Sequence, residues 1–559
     1  MNRPNFTLLI IVFLTVLCGW LVIDRLKIGI DLGDESYYIA LAQRFAHGDQ
    51  PFRDEMFITQ SFSMLTWPIF YLIEKLSGTT QGIILKMRLV FIGFQSIIAM
   101  GLFVFLKRTF SVPVAWFSSL SYIFLVPFGL FGLGYSNLGI GLLTLSLICL
   151  ACVEEVPAST WLLALGGFLG GLSIVAHPGM AAPLGISILV ITWKIGRSGS
   201  FFPKALIAPL VVLATTALVF FLNGVTWLDY WWAVQAMNYT NQAMGSNQGV
   251  IRFLAVVRGI VSLSPFNFLF FTWGLWSLFE YREGKGSFWR KGLWLGSFFI
   301  LLFFTCRTSQ GGLGVLGYCH VIGWVCLLLL AQGSAERRKW ILSLWLPCFM
   351  GMLTLSNLSN SGLSSGAVAF QPLLPLTLCL LSEPLLSAVS KKNNGWASFL
   401  GMSVALLFIF LEFRSLMGTA YRENNYRALT ERVEMGAFQG LKTTQAKKKF
   451  IEQLQADLAR YESVAGRIEF TCFFPAGYLL SPQNAGTPSV WTTPMLGYPR
   501  YEALIKKILP ELSVKVRVYD ETYSKLDIWP QQCEPLKETD LTKPAKLIKR
   551  EGYELLVAN

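Results

Sequence analysis

Apolar residues run in blocks of about twenty along most of this chain, separated by short polar joints, and about twenty residues is the helix length that crosses roughly 30 Å of hydrocarbon. The first block occupies residues 6–23. Others lie at 84–106, 112–130, 135–153, 160–176, 178–194, 204–222, 257–279, 290–306, 316–332, 340–356, 366–388 and 396–413. The pattern predicts a polytopic α-helical membrane protein with about thirteen transmembrane helices. The first block is too long for a signal-peptide core and runs into Asp24-Arg25 rather than a small-residue cleavage site. It reads as a retained span whose N-terminus is cytoplasmic.

Two stretches break this rhythm. Residues 24–81 are mixed rather than apolar. Within them Tyr37, Tyr38, Leu41, Ala42 and Phe45 fall on one helical face, which predicts an amphipathic helix lying along the membrane interface. Asp34 is placed to N-cap this helix and Gly48 to end it. A second amphipathic stretch, 57–76, carries Trp67-Pro68. From about residue 414 the composition turns polar. Residues 443–463 read as an amphipathic helix with Phe450, Ile451, Leu454 and Leu458 on one face, 467–474 and 513–519 as strands, and 499–509 as a helix. The expected layout is a transmembrane module over 1–413, with its first outer loop at about 24–81, and a small C-terminal extracytoplasmic α/β domain over 414–559.

Composition sharpens this picture. The 559 residues are 53% hydrophobic and only 14% charged, against roughly a quarter charged in soluble chains. The net charge of +13 sits in short loops and in the tail, where positive-inside bias and anionic headgroups account for it, so nucleic acid is not an expected partner. Lys107-Arg108, Lys194 with Arg197 and Lys204, Arg282 with Lys285, Arg337-Arg338-Lys339 and Lys391-Lys392 mark alternate loops as cytoplasmic, with Glu154-Glu155 the exception. His47, His177 and, near the outer end of its span, His320 fall on the other side, and so does the tail. Cys149 and Cys152 have C-x-x-C spacing, but no His or acidic companion lies in their span, which speaks against a metal. Cys306 with Cys319, and Cys472 with Cys533, read equally as disulfides in an oxidising compartment or as free thiols.

Acidic groups concentrate in the first outer loop, at Asp34-Glu35 and Asp54-Glu55. Asp34 reads as a helix cap, as a general base at the interface, or as both, because a capping carboxylate keeps a second oxygen. Outer-side cations are few, and Arg88 and Arg307 stand at span ends where a lipid phosphate can approach. Snorkelling to headgroups is the competing reading of each. Asp229 sits in Trp227-Leu228-Asp229-Tyr230-Trp231-Trp232, which reads as an interfacial aromatic belt. His177 and His320 read as helix-end residues that can also face a pocket. The tail arginines Arg422 and Arg427 read as surface residues able to reach over a donor phosphate.

The first span, Gly33-Asp34-Glu35-Ser36-Tyr37-Tyr38, Ala42-Gln43-Arg44-Phe45-Ala46-His47-Gly48-Asp49, the Pro68 stretch and Arg88-Leu89 together resemble the GT-C superfamily of membrane glycosyltransferases over residues 1–110. The resemblance is strongest to the branch of protein O-mannosyltransferases and the lipid A aminoarabinose transferase. It implies a GT-C fold and a catalytic acid at Asp34 with Glu35 beside it. It also implies a second acidic position at Asp54-Glu55. Where relatives often have His or Lys with Pro-Pro, this chain has Thr59-Gln60-Ser61-Phe62.

The implied reaction moves a sugar from a polyprenyl-phosphate carrier to an extracytoplasmic lipid, glycan or protein hydroxyl with inversion. It needs one base and cations for the departing phosphate. The paired acids are also able to hold a divalent ion, although the visible ligands are too few to assign one. The expected setting is a bacterial plasma membrane with the catalytic side extracytoplasmic. A transporter or flippase of lipid-linked sugars and a non-catalytic scaffold are the rivals.

Overall fold

The computed structural model describes residues 4–153, 159–197, 202–243, 297, 313–358, 366–389, 394–418, 420–423, 426–461, 466–471, 474–491, 498–519, 521–522 and 535–559. Its helices in chain order are α1 (Pro4–Arg25), α2 (Asp34–Ala46), α3 (Ser63–Ser77), α4 (Ile83–Leu106), α5 (Val112–Phe124), α6 (Tyr135–Val153), α7 (Thr160–Ala176) and α8 (Ala181–Arg197). There follow α9 (Phe202–Leu222), α10 (Trp227–Ala243), α11 (Leu313–Gln332), α12 (Ala335–Trp340), α13 (Leu346–Leu358), α14 (Leu374–Val389) and α15 (Asn394–Gly418). Each predicted apolar block among the described residues is occupied by helix. The blocks at 257–279 and 290–306 lie outside them. Among the described residues five helices are long and apolar enough to cross a membrane: Leu8–Arg25, Ile83–Leu106, Tyr135–Val153, Lys204–Leu222 and Arg337–Leu358.

Proline explains two departures from the predicted boundaries. The block at 112–130 is helical only to Phe124, and Leu125 and Val126 are already out of the helical region before Pro127. A proline ring disfavours helical geometry in the residue ahead of it. The block at 340–356 begins earlier, as α12, and passes through a π-helical turn, Ile341–Trp345, into α13. Pro347 has no N–H to donate, and its ring crowds the carbonyl one turn back; the wider turn relieves both.

The helices share a large apolar core that includes Leu102, Phe117, Leu147, Ile322, Phe370 and Phe408. Outward faces of α1 and α9 remain apolar and exposed, with Leu9 65%, Phe13 66%, Leu213 66% and Phe221 78% accessible. Such faces suit hydrocarbon rather than water.

The tail forms α16 (Gln445–Ala459), α17 (Ala476–Leu480), α18 (Pro499–Ile508) and the strands β1 (Glu431–Arg432), β2 (Lys442–Thr443), β3 (Arg467–Thr471), β4 (Leu512–Val518), β5 (Ala545–Lys549) and β6 (Tyr553–Ala558). The four-stranded sheet has the order β3-β4-β6-β5, with β3 and β4 parallel and the other neighbours antiparallel. Sequence pattern shows α16, α18, β3 and β4; the β5–β6 hairpin is an addition. β6 is buried along its whole length, so it lacks the alternation that marks a half-exposed strand.

The first loop lies beneath this tail. One apolar cluster joins Leu26, Ile30, Tyr37 and Leu41 to Phe450, Leu454, Ile468 and Val516. Backbone bonds cross the same boundary: Lys442 N–H donates to the Lys27 carbonyl at 2.7 Å, and Met56 N–H to the Pro488 carbonyl at 2.8 Å. The helix α2, expected to lie along the membrane interface, is also packed under the tail. Its residues from Glu35 to Phe45 are buried apart from Tyr38, which is partly buried, and Gln43 on its polar side donates to the Tyr478 carbonyl of α17. Gly48, at φ 102, does follow the end of α2.

Candidate active site

Asp31, not Asp34, caps α2. Its Oδ1 accepts the Gly33 N–H at 3.0 Å and its Oδ2 the Glu35 N–H at 2.7 Å, while the Ser36 hydroxyl donates to its carbonyl at 2.6 Å. The expected cap at Asp34 is thus corrected, because the helix begins at Asp34 itself. A carboxylate three residues earlier reaches the orphan N–H groups of the first turn. This leaves the Asp34 carboxylate for other partners.

Those partners come from the segment after α15. The Tyr421 hydroxyl donates to Asp34 Oδ2 at 2.7 Å, and Arg422 Nη2 stands 3.0 Å from the same atom. Arg422 also lies 3.8 Å from Asp31 Oδ1. Its backbone is left-handed, φ 51, a region unfavourable for a side chain with a Cβ. It is fixed there by Lys447, which donates to the Arg422 carbonyl at 3.3 Å. Strain of this kind is kept where the surroundings over-determine it. The Asp34 side chain keeps 17% of its surface exposed. Burial raises its pKa first and the neighbouring Asp31 charge adds to that; Arg422 and the Tyr421 hydroxyl pull it back, and the result is about 6.

Glu35 faces the other way and is fully enclosed. Arg88 grips it bidentately, Nε to Oε1 and Nη2 to Oε2, both at 2.6 Å. The other Arg88 donors go to backbone carbonyls of Leu26, Ile28 and Gly29. Gly29 is required on two counts: φ is 87, and a Cβ there would meet Ala420 Cβ at 2.7 Å. Arg88 was expected to meet a lipid phosphate. In this arrangement its donor groups are already committed, and it ties the first loop to α4.

The second acidic position behaves similarly. Glu55 Oε2 accepts from Arg44 and from the Val490 N–H, each at 2.9 Å, and its Oε1 from the Phe57 N–H at 3.1 Å. Arg44 also holds Asp49 at 2.7 Å. Half-buried Asp54 closes a turn by accepting the Gln50 N–H at 2.8 Å. Gln60, in the stretch that departs from relatives, accepts the Phe52 N–H and donates to the Glu55 carbonyl, each at 2.9 Å.

A chain of rings leads from Asp34 into the helices. Tyr38 meets Tyr135 edge-on at 5.8 Å and shares a side-chain hydrogen bond with it. Tyr135 lies 5.4 Å from the His177 ring. The turn before α6 reaches Tyr38 because residue 134 is glycine; a Cβ there would fall 2.3 Å from the tyrosine ring. His177 Nδ1 accepts the Gly179 N–H at 3.0 Å, which leaves its proton on Nε2. Burial pushes its pKa down to about 4, so the ring is neutral at physiological pH.

Of the sequence-derived candidates, the structure therefore brings Asp34 and His177 into one cluster. Glu35 with Arg88, and Glu55 with Arg44, form separate buried pairs. His320 lies on α11, but its side chain is outside the described residues, as are Arg307, Cys306, Cys472 and Cys533. Cys319 is a buried thiol. Among the described residues no group of three or more His, Cys, Asp or Glu side chains is arranged to hold a metal ion. Sequence reasoning missed Tyr421 and the capping role of Asp31; the Asp31-x-Gly33 spacing just ahead of the helix is the available signal for the second.

No protein-family profile and no curated protein matches the chain in sequence. Two solved glycosyltransferases are similar to it. One is the oligosaccharyltransferase of Archaeoglobus fulgidus in complex with zinc and sulfate, with TM-score 0.48 and 11% identity, covering 92% of this chain and 69% of that one. The other is ArnT from Cupriavidus metallidurans in the apo state, with TM-score 0.42 and 12% identity, covering 99% of this chain and 98% of that one.

Proposed function

We propose that this protein is an integral membrane glycosyltransferase of GT-C type, with Asp34 as its general base. It takes a sugar from a polyprenyl-phosphate carrier and gives it to a hydroxyl on the extracytoplasmic side. The observation that carries this reading is the release of Asp34 from helix capping by Asp31. It leaves a partly exposed carboxylate with a pKa of about 6, bordered by tyrosines and one arginine. The resemblance of residues 1–110 to that superfamily supports the same reading.

The chemistry uses few groups. The acceptor oxygen attacks the anomeric carbon from the face opposite the phosphate as the bond from carbon to phosphate oxygen breaks, so the centre inverts. The acceptor proton passes to Asp34, and the electron pair leaves with the phosphate, which needs no proton of its own. A cation must hold that charge. Arg422 takes this part in the proposal, in place of Arg88, because the Arg88 donors are committed and the Arg422 side chain is partly exposed. Positions 1–413 supply the base, and the tail supplies Arg422.

Transfer measured in sealed vesicles, with release of free polyprenyl phosphate as the second readout, tests this. Asp34→Asn at matched expression should lower both by about 10²–10⁴-fold. Undiminished transfer by that variant would remove Asp34 as the base; a wild-type protein that moves the lipid-linked sugar without releasing carrier would be a transporter.

A further inference from the structure

The cluster around Asp34 leaves another charged and aromatic assembly unused, where α9 passes into α10. Among the described residues the large apolar side chains that α10 exposes are Trp227 (74%), Leu228 (59%), Trp231 (45%) and Trp232 (39%). Their spacing, i, i+1, i+4 and i+5, places them on one helical face. Exposed apolar residues also end α9, where Phe221 and Leu222 are 78% and 68% accessible. The corner between the helices is fixed. Gly224 turns it at φ 65, Trp67 Nε1 donates to Asn223 Oδ1 at 2.8 Å, and Thr226 with Asp229 caps α10 reciprocally at 2.7–3.2 Å.

Charge lies beside the aromatic face. Asp229 is buried and receives two arginines, Arg53 Nε at 3.1 Å and Arg500 Nη2 at 3.5 Å. The same carboxylate also accepts from Thr226, and Arg53 Nη1 donates to Gln50 Oε1 at 2.8 Å, which still leaves donors on both guanidinium groups. Their side chains remain 41% and 25% exposed. Arg500 lies 5.6 Å over the Trp232 ring, and Lys506 and Lys507 follow on the exposed side of α18.

We propose that α10 and α18 form a docking surface for anionic phospholipid headgroups in the leaflet at the end of α9. Tryptophans at a span's edge seat at the headgroup level, with the ring in the acyl boundary and the N–H in the polar band. Arginines at that level meet phosphate oxygens with paired N–H donors. Arg53 belongs to the first loop, Asp229 to α10 and Arg500 to the tail, so lipid bound here bridges three parts of the chain. The inference concerns this surface alone and stands whether or not the chain transfers sugar.

The test uses the full chain in bilayer nanodiscs with photoactivatable phosphatidylglycerol or phosphatidylcholine, followed by peptide mapping. Phosphatidylglycerol should label the α10 and α18 peptides more strongly than phosphatidylcholine, by about fivefold for each participating arginine. The excess should fall with added salt and disappear in the Arg53→Gln, Arg500→Gln double variant, while labelling of α1 stays unchanged as a control for folding. Equal labelling by the two lipids, or none on α10, overturns the proposal. Displacement of the label by excess polyprenyl phosphate also overturns it, by making this a carrier site. The salt series needs no variant and remains decisive if the double variant misfolds.

Discussion

The first loop contains the same two letters twice, Asp34-Glu35 and Asp54-Glu55, and the fold treats the two pairs alike in one respect and differently in the other. In both, the glutamate is fully enclosed and held by an arginine, Arg88 in one case and Arg44 in the other. In both, the aspartate lies nearer the surface. Asp54, however, is consumed by a turn. Asp34 is met by Tyr421 and Arg422, side chains from nearly four hundred residues away, and has its capping duty taken over by Asp31. The lesson is that an acidic dipeptide marks a place, while the neighbours brought by the fold decide which of its members remains available for chemistry.

Breaking the shared part of the comparison should have the largest effect on folding. Glu35→Gln or Glu55→Gln leaves a buried arginine without its counter-charge, and loss of one partner of such a pair costs about 3–5 kcal/mol. Both variants should melt at markedly lower temperature in detergent, with Arg88→Gln matching Glu35→Gln. By contrast Asp34→Asn should fold at least as well as the wild type at neutral pH. The sign follows from its raised pKa: the folded state holds the proton more tightly than the unfolded chain. The stability this contributes is complete below about pH 4 and is lost as pH rises through about 6. An asparagine removes that loss, so a destabilised Asp34→Asn would show that the carboxylate is a structural group like its neighbour.

The distinguishing part is sharpened by pH. A base must be ionised to act, so wild-type transfer should fall as pH drops through about 6. Arg422 favours the ionised form, and Arg422→Gln should move that acid limb to higher pH, as well as lowering the rate at saturating donor. A limb unmoved by the substitution would separate Arg422 from the titrating group. The smallest effect belongs to Asp31→Ala: loss of a helix cap costs about 1 kcal/mol, read as a modest fall in melting temperature.

Much of the helical layout is legible in the sequence because a span is a local property, a run of apolar residues long enough to be counted. The same holds for α16, whose face of Phe450, Ile451, Leu454 and Leu458 is written in successive turns and is buried as expected. What is not legible depends on contacts far apart in the chain. Nothing near Arg88 announces that its donors are spent on Glu35 and three carbonyls, and nothing in α2 announces that its polar side will be covered by α17. Tyr421 is an ordinary tyrosine until the end of α15 delivers it to Asp34. The position of a candidate base was thus readable from local pattern and resemblance, whereas its partners were set by the closing of the tail over the first loop.

The most direct test sets the two aspartates side by side: sugar transfer in vesicles by Asp34→Asn and Asp54→Asn, each at wild-type levels of inserted protein. The account predicts a fall of about 10²–10⁴-fold for the first and a rate close to wild type for the second. Equal loss in both, or retained transfer with Asp34→Asn, would contradict it.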